Sequence, residues 1–190
     1  MTEIINNLKD SRCYMSFPIE FAGDDAPKIT SYKENIIVFL KSKNVKVFDP
    51  KKISFRGITE IIDRKKLFEE ENYEELVRQM KIIVRKDLRC VDLSDFTIAI
   101  LPKDVKTTGT IHEIIEADRQ KKPVLIYCPH GLRYIPAWLF GIIPLRFMFK
   151  SLNELINYLN YIDTYDDFHE LSDDRWQFLS LGTLDKEGVF

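Results

Sequence analysis

The sequence predicts a doubly wound α/β domain: a five-stranded parallel sheet in the order 2-1-3-4-5, with helices on both faces. Strand-like and helix-like segments alternate along the chain, the pattern of βα units around a parallel sheet. Two of the strand segments are almost continuously apolar, as strands covered on both faces are. No repeat, low-complexity tract or Gly/Ser linker divides the 190 residues, a length that suits one domain.

The elements follow in order. Arg12-Cys13-Tyr14-Met15-Ser16 reads as a first strand, ended by Pro18 and a turn-rich stretch up to Pro27. Ile29, Tyr32, Ile36, Ile37 and Leu40 recur at helical spacing, giving an amphipathic helix that runs to about Asn44. Val45-Lys46-Val47-Phe48 is the second strand, stopped by Asp49-Pro50. A loop with Lys51, Lys52, Arg56 and Gly57 follows, then a charged helical stretch from Thr59 to Glu71. Asn72 is placed to cap the next helix, with Glu75 three residues on. Tyr73, Leu76, Val77, Met80, Ile83, Val84 and Val91 are expected on its buried face. The third strand spans 96–101 and leads through a Thr/Gly-rich turn to a helix with Ile111, Ile114 and Ile115 inward. The fourth strand spans 123–128. Arg146-Phe147-Met148-Phe149 reads as the fifth. Ser151 with Glu154 forms a capping box for a last helix, whose Leu152, Leu155, Ile156, Leu159 and Ile162 face inward. The domain therefore occupies 1–163, and 164–190 is an extension, acidic early and aromatic later.

Composition narrows the function classes. The chain is 45% hydrophobic and 31% charged, ordinary for a globular protein with a core. Twenty-eight Lys and Arg against thirty Asp and Glu leave a charge of −2, which argues against a nucleic-acid-binding protein. No apolar run is long enough to span a bilayer, and the first ten residues have no apolar signal core, so no membrane partner is expected. Cys13, Cys90 and Cys128 are odd in number and far apart; neither a disulfide framework nor a zinc site is indicated, and a reducing cytoplasm is the expected compartment. There is no Walker-type loop and no G-x-G-x-x-G fingerprint.

In a sheet of this order, ligands bind at the carboxyl ends of the strands, where strand order reverses between the first and third. The loops 16–27 and 102–113 flank that crevice. Glu113 stands there, behind Thr107-Thr108-Gly109-Thr110. A carboxylate near a helix N-terminus is held in its anionic form. The same residue also completes a Thr110-x-x-Glu113 capping box, in which it would only satisfy backbone donors. Asp87 falls on the helical stripe that runs from Met80 through Val84 to Val91, so an ionisable group lies on a buried face. Such a group marks a site, a salt bridge to a nearby arginine, or a different helix phase. Asp95 most simply ends the turn before the third strand.

Tyr14-Met15-Ser16-Phe17-Pro18-Ile19 resembles the Tyr-Leu-Ala-Gly-Pro-Ile opening of the nucleoside 2-deoxyribosyltransferase family, in which the related deoxynucleoside 5′-monophosphate N-glycosidases are included. Asp87-Leu88, Ser94-Asp95 and Gly109-Thr110-x-x-Glu113 are similar to its central block in order and spacing. The resemblance covers roughly 12–128 and implies the same flavodoxin-like strand order. It further implies that Glu113 is a nucleophile and that Asp87 binds substrate and handles protons. Tyr14 would lie beside the nucleophile, and Gly109 would let the backbone approach the sugar. The expected substrate-binding set is Tyr14, Ser16, Pro18, Arg56, Asp95, Gly109 and Thr110. Phe17 departs from the family's glycine, and Thr107, with Asp104 nearby, stands where many members carry a further aspartate. The implied reaction exchanges the base of a 2′-deoxynucleoside for another free base through a covalent sugar–enzyme intermediate, with no metal or organic cofactor, in a homo-oligomer whose 164–190 extension lies near a subunit interface. Two alternatives stand beside it. One is a 2′-deoxynucleoside 5′-monophosphate N-glycosidase, whose phosphate would fall to Ser16 and Arg56; the other is a nucleotide-binding module without catalysis.

Overall fold

The structure, a computed structural model, describes residues 5–19, 26–54, 64–165, 175–176 and 179. Its elements in chain order are β1 (Arg12–Ser16), α1 (Ala26–Ser42), β2 (Lys46–Phe48), α2 (Arg64–Glu69), α3 (Tyr73–Leu93), β3 (Phe96–Ile100), α4 (Thr108–Arg119), β4 (Val124–Tyr127), β5 (Met148–Phe149) and α5 (Leu152–Asp163). The five strands form one parallel sheet in the order β2-β1-β3-β4-β5. α1 packs with α5, and α3 packs with α4. The predicted doubly wound architecture is therefore the observed one. None of the described helices is long and apolar enough to cross a membrane.

The core follows the strands. Every residue of β3 and β4 is buried, so each contributes side chains to both faces of the sheet. On β1, Cys13 and Met15 alternate with Tyr14 and Ser16, and all four are buried. Trp176 is also fully buried; its ring lies 5.4 Å from Phe96 and its Nε1 donates to the Tyr158 hydroxyl at 2.8 Å. Arg175 bonds Asp118 of α4 at 2.8 Å. The described residues of the 164–190 extension thus pack on their own domain; the rest of that extension lies outside the described residues.

The helix ends are built without glycine. After α1, α2 and α4, the N–H groups of Asn44, Glu71 and Lys121 bond three residues back, and those of Val45, Asn72 and Lys122 bond five residues back. This is the Schellman pattern, and its left-handed position is filled at φ of 59°, 51° and 60° by Asn44, Glu71 and Lys121. Asn72 and Ser151 cap α3 and α5 as the sequence predicts, accepting from the N–H groups of Glu75 and Glu154.

Three elements depart from their sequence expectation. Tyr73, Val77 and Val84 of α3 are exposed, while Ile83, Lys86, Asp87, Cys90 and Val91 are buried. The buried residues all fall from Ile83 onward in this long helix, which also packs against the short α2. The fifth strand has two residues, because Pro144 opens a 3-10 turn over Leu145–Phe147 and takes Arg146 and Phe147 out of it. Of the helical stretch expected over 59–71, α2 accounts for Arg64–Glu69, and 55–63 lies outside the described residues.

Candidate active site

β1 and β3 are neighbours whose helical connections leave in opposite directions, so a cleft opens past Ser16 and Ile100. Four segments line it. Phe17, Pro18 and Ile19 follow β1; Arg64 comes from α2; Met80, Ile83, Val84, Asp87 and Leu88 come from α3. The loop and first turns of α4 contribute Lys106, Thr107, Thr108, Gly109, Thr110, His112 and Glu113. The lining combines apolar side chains from the loop after β1 and from α3 with a few polar and charged groups, the usual composition of a small-molecule site.

The position of Glu113 excludes its capping-box reading. α4 begins at Thr108 behind the N-cap Thr107, which makes no side-chain capping bond. Thr110 is thus already inside the helix, and Glu113 lies in the second turn, beyond the reach of an N-cap partner. Its carboxylate turns to the sheet instead: the Tyr14 hydroxyl donates to Oε1 at 2.8 Å, and the Ser16 hydroxyl donates to Oε2. The capping box is not formed. Both donors come from one face of β1, two residues apart, and both are fully buried.

Charge around the carboxylate is dense. Burial pushes the Tyr14 phenol well above its ordinary value, and the negative charges of Glu113 and Asp87 push it further in the same direction. Tyr14 therefore stays a protonated donor. The Cys90 thiol is raised as well, first by burial and then by Asp87, with Lys86 acting against it. Asp87 is buried, and the ammonium of the neighbouring Lys86 lies 3.2 Å from its Oδ1.

Of the expected site residues, Glu113, Asp87, Pro18, Gly109 and Thr110 line one cleft, with Tyr14 and Ser16 bonded to Glu113 at its floor. At Gly109 an added Cβ would meet no protein atom within 4 Å, so packing does not demand glycine there. Asp95 is not brought to this cluster. It precedes β3 at the opposite, amino end of the sheet, where Arg12 donates to it from its backbone N–H at 2.7 Å and from its guanidinium at 2.9 and 3.2 Å. Arg56 lies outside the described residues.

Four lining or neighbouring residues were not singled out from the sequence: Arg64, Lys106, His112 and Lys86. For Lys86 a signal existed. Position 86 falls three residues after Ile83 and four before Cys90, on the same buried stripe that marks Asp87. Among the described residues, no group of three His, Cys, Asp or Glu side chains is placed to hold a metal ion.

No family model and no curated protein matches the chain. Solved structures do. The 2-deoxyribosyltransferase from Bacillus psychrosaccharolyticus superposes with a TM-score of 0.53 at 17% identity, over 78% of this chain and 92% of that one. A CMP N-glycosidase from Clostridium botulinum gives 0.47 at 16% identity, over 78% and 97%. A 2-deoxyribosyltransferase from Leishmania mexicana gives 0.47 at 15% identity, over 80% and 98%. The likeness to the Bacillus enzyme is one of fold, and it is the fold that the sequence predicts.

Proposed function

We propose that the protein cleaves the N-glycosidic bond of 2′-deoxynucleosides and transfers the sugar to another free base, with Glu113 as nucleophile. The observation that carries this reading is the carboxylate of Glu113, turned away from its own helix and fixed by the Tyr14 and Ser16 hydroxyls at the floor of the cleft. The two donors hold the carboxylate in one orientation for attack.

The chemistry balances as in a retaining glycosidase. An oxygen of Glu113 bonds the anomeric carbon as the carbon–nitrogen bond breaks, and the electron pair leaves with the base. The base takes up a proton from Asp87 or from a water that Asp87 holds. A ring nitrogen of the second base then attacks the same carbon, gives up its proton and frees the carboxylate. Two displacements restore the original configuration. The missing 2′-hydroxyl eases the oxocarbenium-like transition state, and Gly109 leaves the backbone open to the sugar. A cytoplasmic homo-oligomer is part of the same reading.

A second reading draws on the cations of the cleft. Arg64 and Lys106 line the same cleft as Glu113 and Asp87, a setting suited to a 5′-phosphate, with water in place of the second base. Ser16, once a phosphate candidate, is committed to Glu113.

A chromatographic assay separates the readings. Purified protein is incubated with a deoxynucleoside and a different free base, beside a deoxynucleoside monophosphate alone. A new nucleoside in the first tube supports transfer; free base and sugar phosphate only in the second supports the hydrolase. Glu113→Gln should abolish either. Full turnover by that variant would refute the assignment of Glu113, and silence of folded wild-type protein in both tubes would leave a binding module.

A further inference from the structure

Lys86 is one residue from Asp87 on α3, yet it does not line the cleft. It reaches Asp87 from behind. Its side chain and that of Asp87 are only 5% and 10% exposed, and Nζ lies 3.2 Å from Oδ1. The same ammonium donates to the backbone carbonyls of Pro50 at 3.1 Å and Ile53 at 3.3 Å. The ammonium thus bonds two carbonyl oxygens of the loop after β2 and forms an ion pair with Asp87.

A buried ammonium is costly unless each N–H finds an acceptor and an opposite charge lies near. Lys86 has two carbonyl acceptors and the opposite charge of Asp87 beside it, and the ion pair constrains Asp87 in return. The groups that face Asp87 come from several elements: Lys86 and Cys90 on α3, Tyr14 on β1, Glu113 and His112 on α4, Arg64 on α2 and Lys106 in the loop before α4. Glu113 opposes a charge on Asp87, and burial opposes it too. Lys86 is a cation in direct contact with Asp87 and is tied to the loop after β2.

We propose that Lys86 is a positioning residue for the reaction proposed above. It holds Asp87 as an oriented carboxylate in the resting site and couples that orientation to the loop after β2. Asp87 then meets the substrate as a hydrogen-bond acceptor, and a proton bound for the departing base comes from a water it holds.

The charge and the tether can be separated. Lys86→Gln keeps amide donors for the Pro50 and Ile53 carbonyls and removes the charge; Lys86→Arg keeps a charge. Aspartate carboxyl carbons are labelled in the full chain and titrated by NMR, with Asp87→Asn identifying the Asp87 signal. Removing an opposite charge in direct contact should raise the Asp87 midpoint by about one pH unit or more in Lys86→Gln. Lys86→Arg should stay near wild type, and the acid limb of kcat/KM should move with the midpoint in each variant. A midpoint unmoved in folded Lys86→Gln would overturn the inference. If that variant does not fold, Lys86→Met offers a second neutral side chain with the same expectation. The carboxyl titration needs no turnover, so a shifted midpoint in a protein without base exchange upholds Lys86 and refutes the transferase reading alone.

Discussion

Tyr14→Phe tests the bond that defines the site. The substitution removes one oxygen from a fully buried side chain and leaves the ring in place, so the perturbation is the lost donor to Glu113 Oε1, now at 2.8 Å. A hydrogen bond to a charged group contributes about 1.5–3 kcal/mol. Taking about 2 kcal/mol and about 1.4 kcal/mol per pH unit, Glu113 should become easier to protonate by about 1.5 units. The donor favours the carboxylate, so its loss moves the acid limb of kcat/KM upward, and activity falls more at low pH than on the plateau. The second readout is alkaline. The buried phenol is raised by burial first and by Glu113 and Asp87 next. Between the ordinary tyrosine value and the raised one, the unfolded chain releases this proton and the native one does not, so wild-type stability falls as pH rises through that window. Tyr14→Phe should lose this part of the alkaline sensitivity. An acid limb that does not move would refute the claim that the Tyr14 hydroxyl holds the Glu113 anion.

Asp95→Asn should leave kcat/KM unchanged and lower stability by about 1 kcal/mol in urea unfolding, because its half-exposed bonds to Arg12 lie at the far end of the sheet. Trp176→Ala should cost about 3–5 kcal/mol, as for an aromatic side chain removed from a core; a variant as stable as wild type would mean that the tail does not pack where it is described. Lys121→Gly should raise stability by about 0.5–1 kcal/mol, and Tm by a few degrees, by relieving a left-handed residue at an exposed helix end.

The sheet was legible because its central strands carry the strongest possible pattern. Phe96 to Ile100 and Val124 to Tyr127 are apolar at every position but Thr97, and only a strand covered on both faces needs that. The errors have local causes. Thr-x-x-Glu describes a capping box only if the threonine is the cap, and spacing alone does not place the start of a helix; Thr107 takes the cap three residues earlier. The α3 periodicity was averaged over a helix of 21 residues whose buried residues all fall from Ile83 onward. At β5, Phe-Met-Phe has strand character, but Pro144 sets the turn that consumes the first of these residues. The candidate site was read from the order and spacing of Asp87, Gly109 and Glu113. The bond from Ser16 to Glu113, the contact of Lys86 with Asp87, and the distance of Asp95 all depend on how separate elements pack, which spacing along the chain does not encode.

The geometry at Glu113 depends on the register of β1. Residues on a strand alternate between faces, and Tyr14 and Ser16 share the face that meets α4. They are two residues apart, about 6.6 Å along the strand, whereas the two oxygens of one carboxylate are far closer together. Two identical side chains at these positions could not meet the same carboxylate. A long tyrosine starting deeper in the sheet and a short serine at its carboxyl end can, because the difference in reach offsets the difference in origin. Cys13 and Met15 occupy the opposite face, and a slip of β1 by one residue would present them to α4 and leave Glu113 with no hydroxyl donor. The pairing of β1 with β2 on one side and β3 on the other opposes that slip. Weakening this register should therefore reduce turnover before it unfolds the chain.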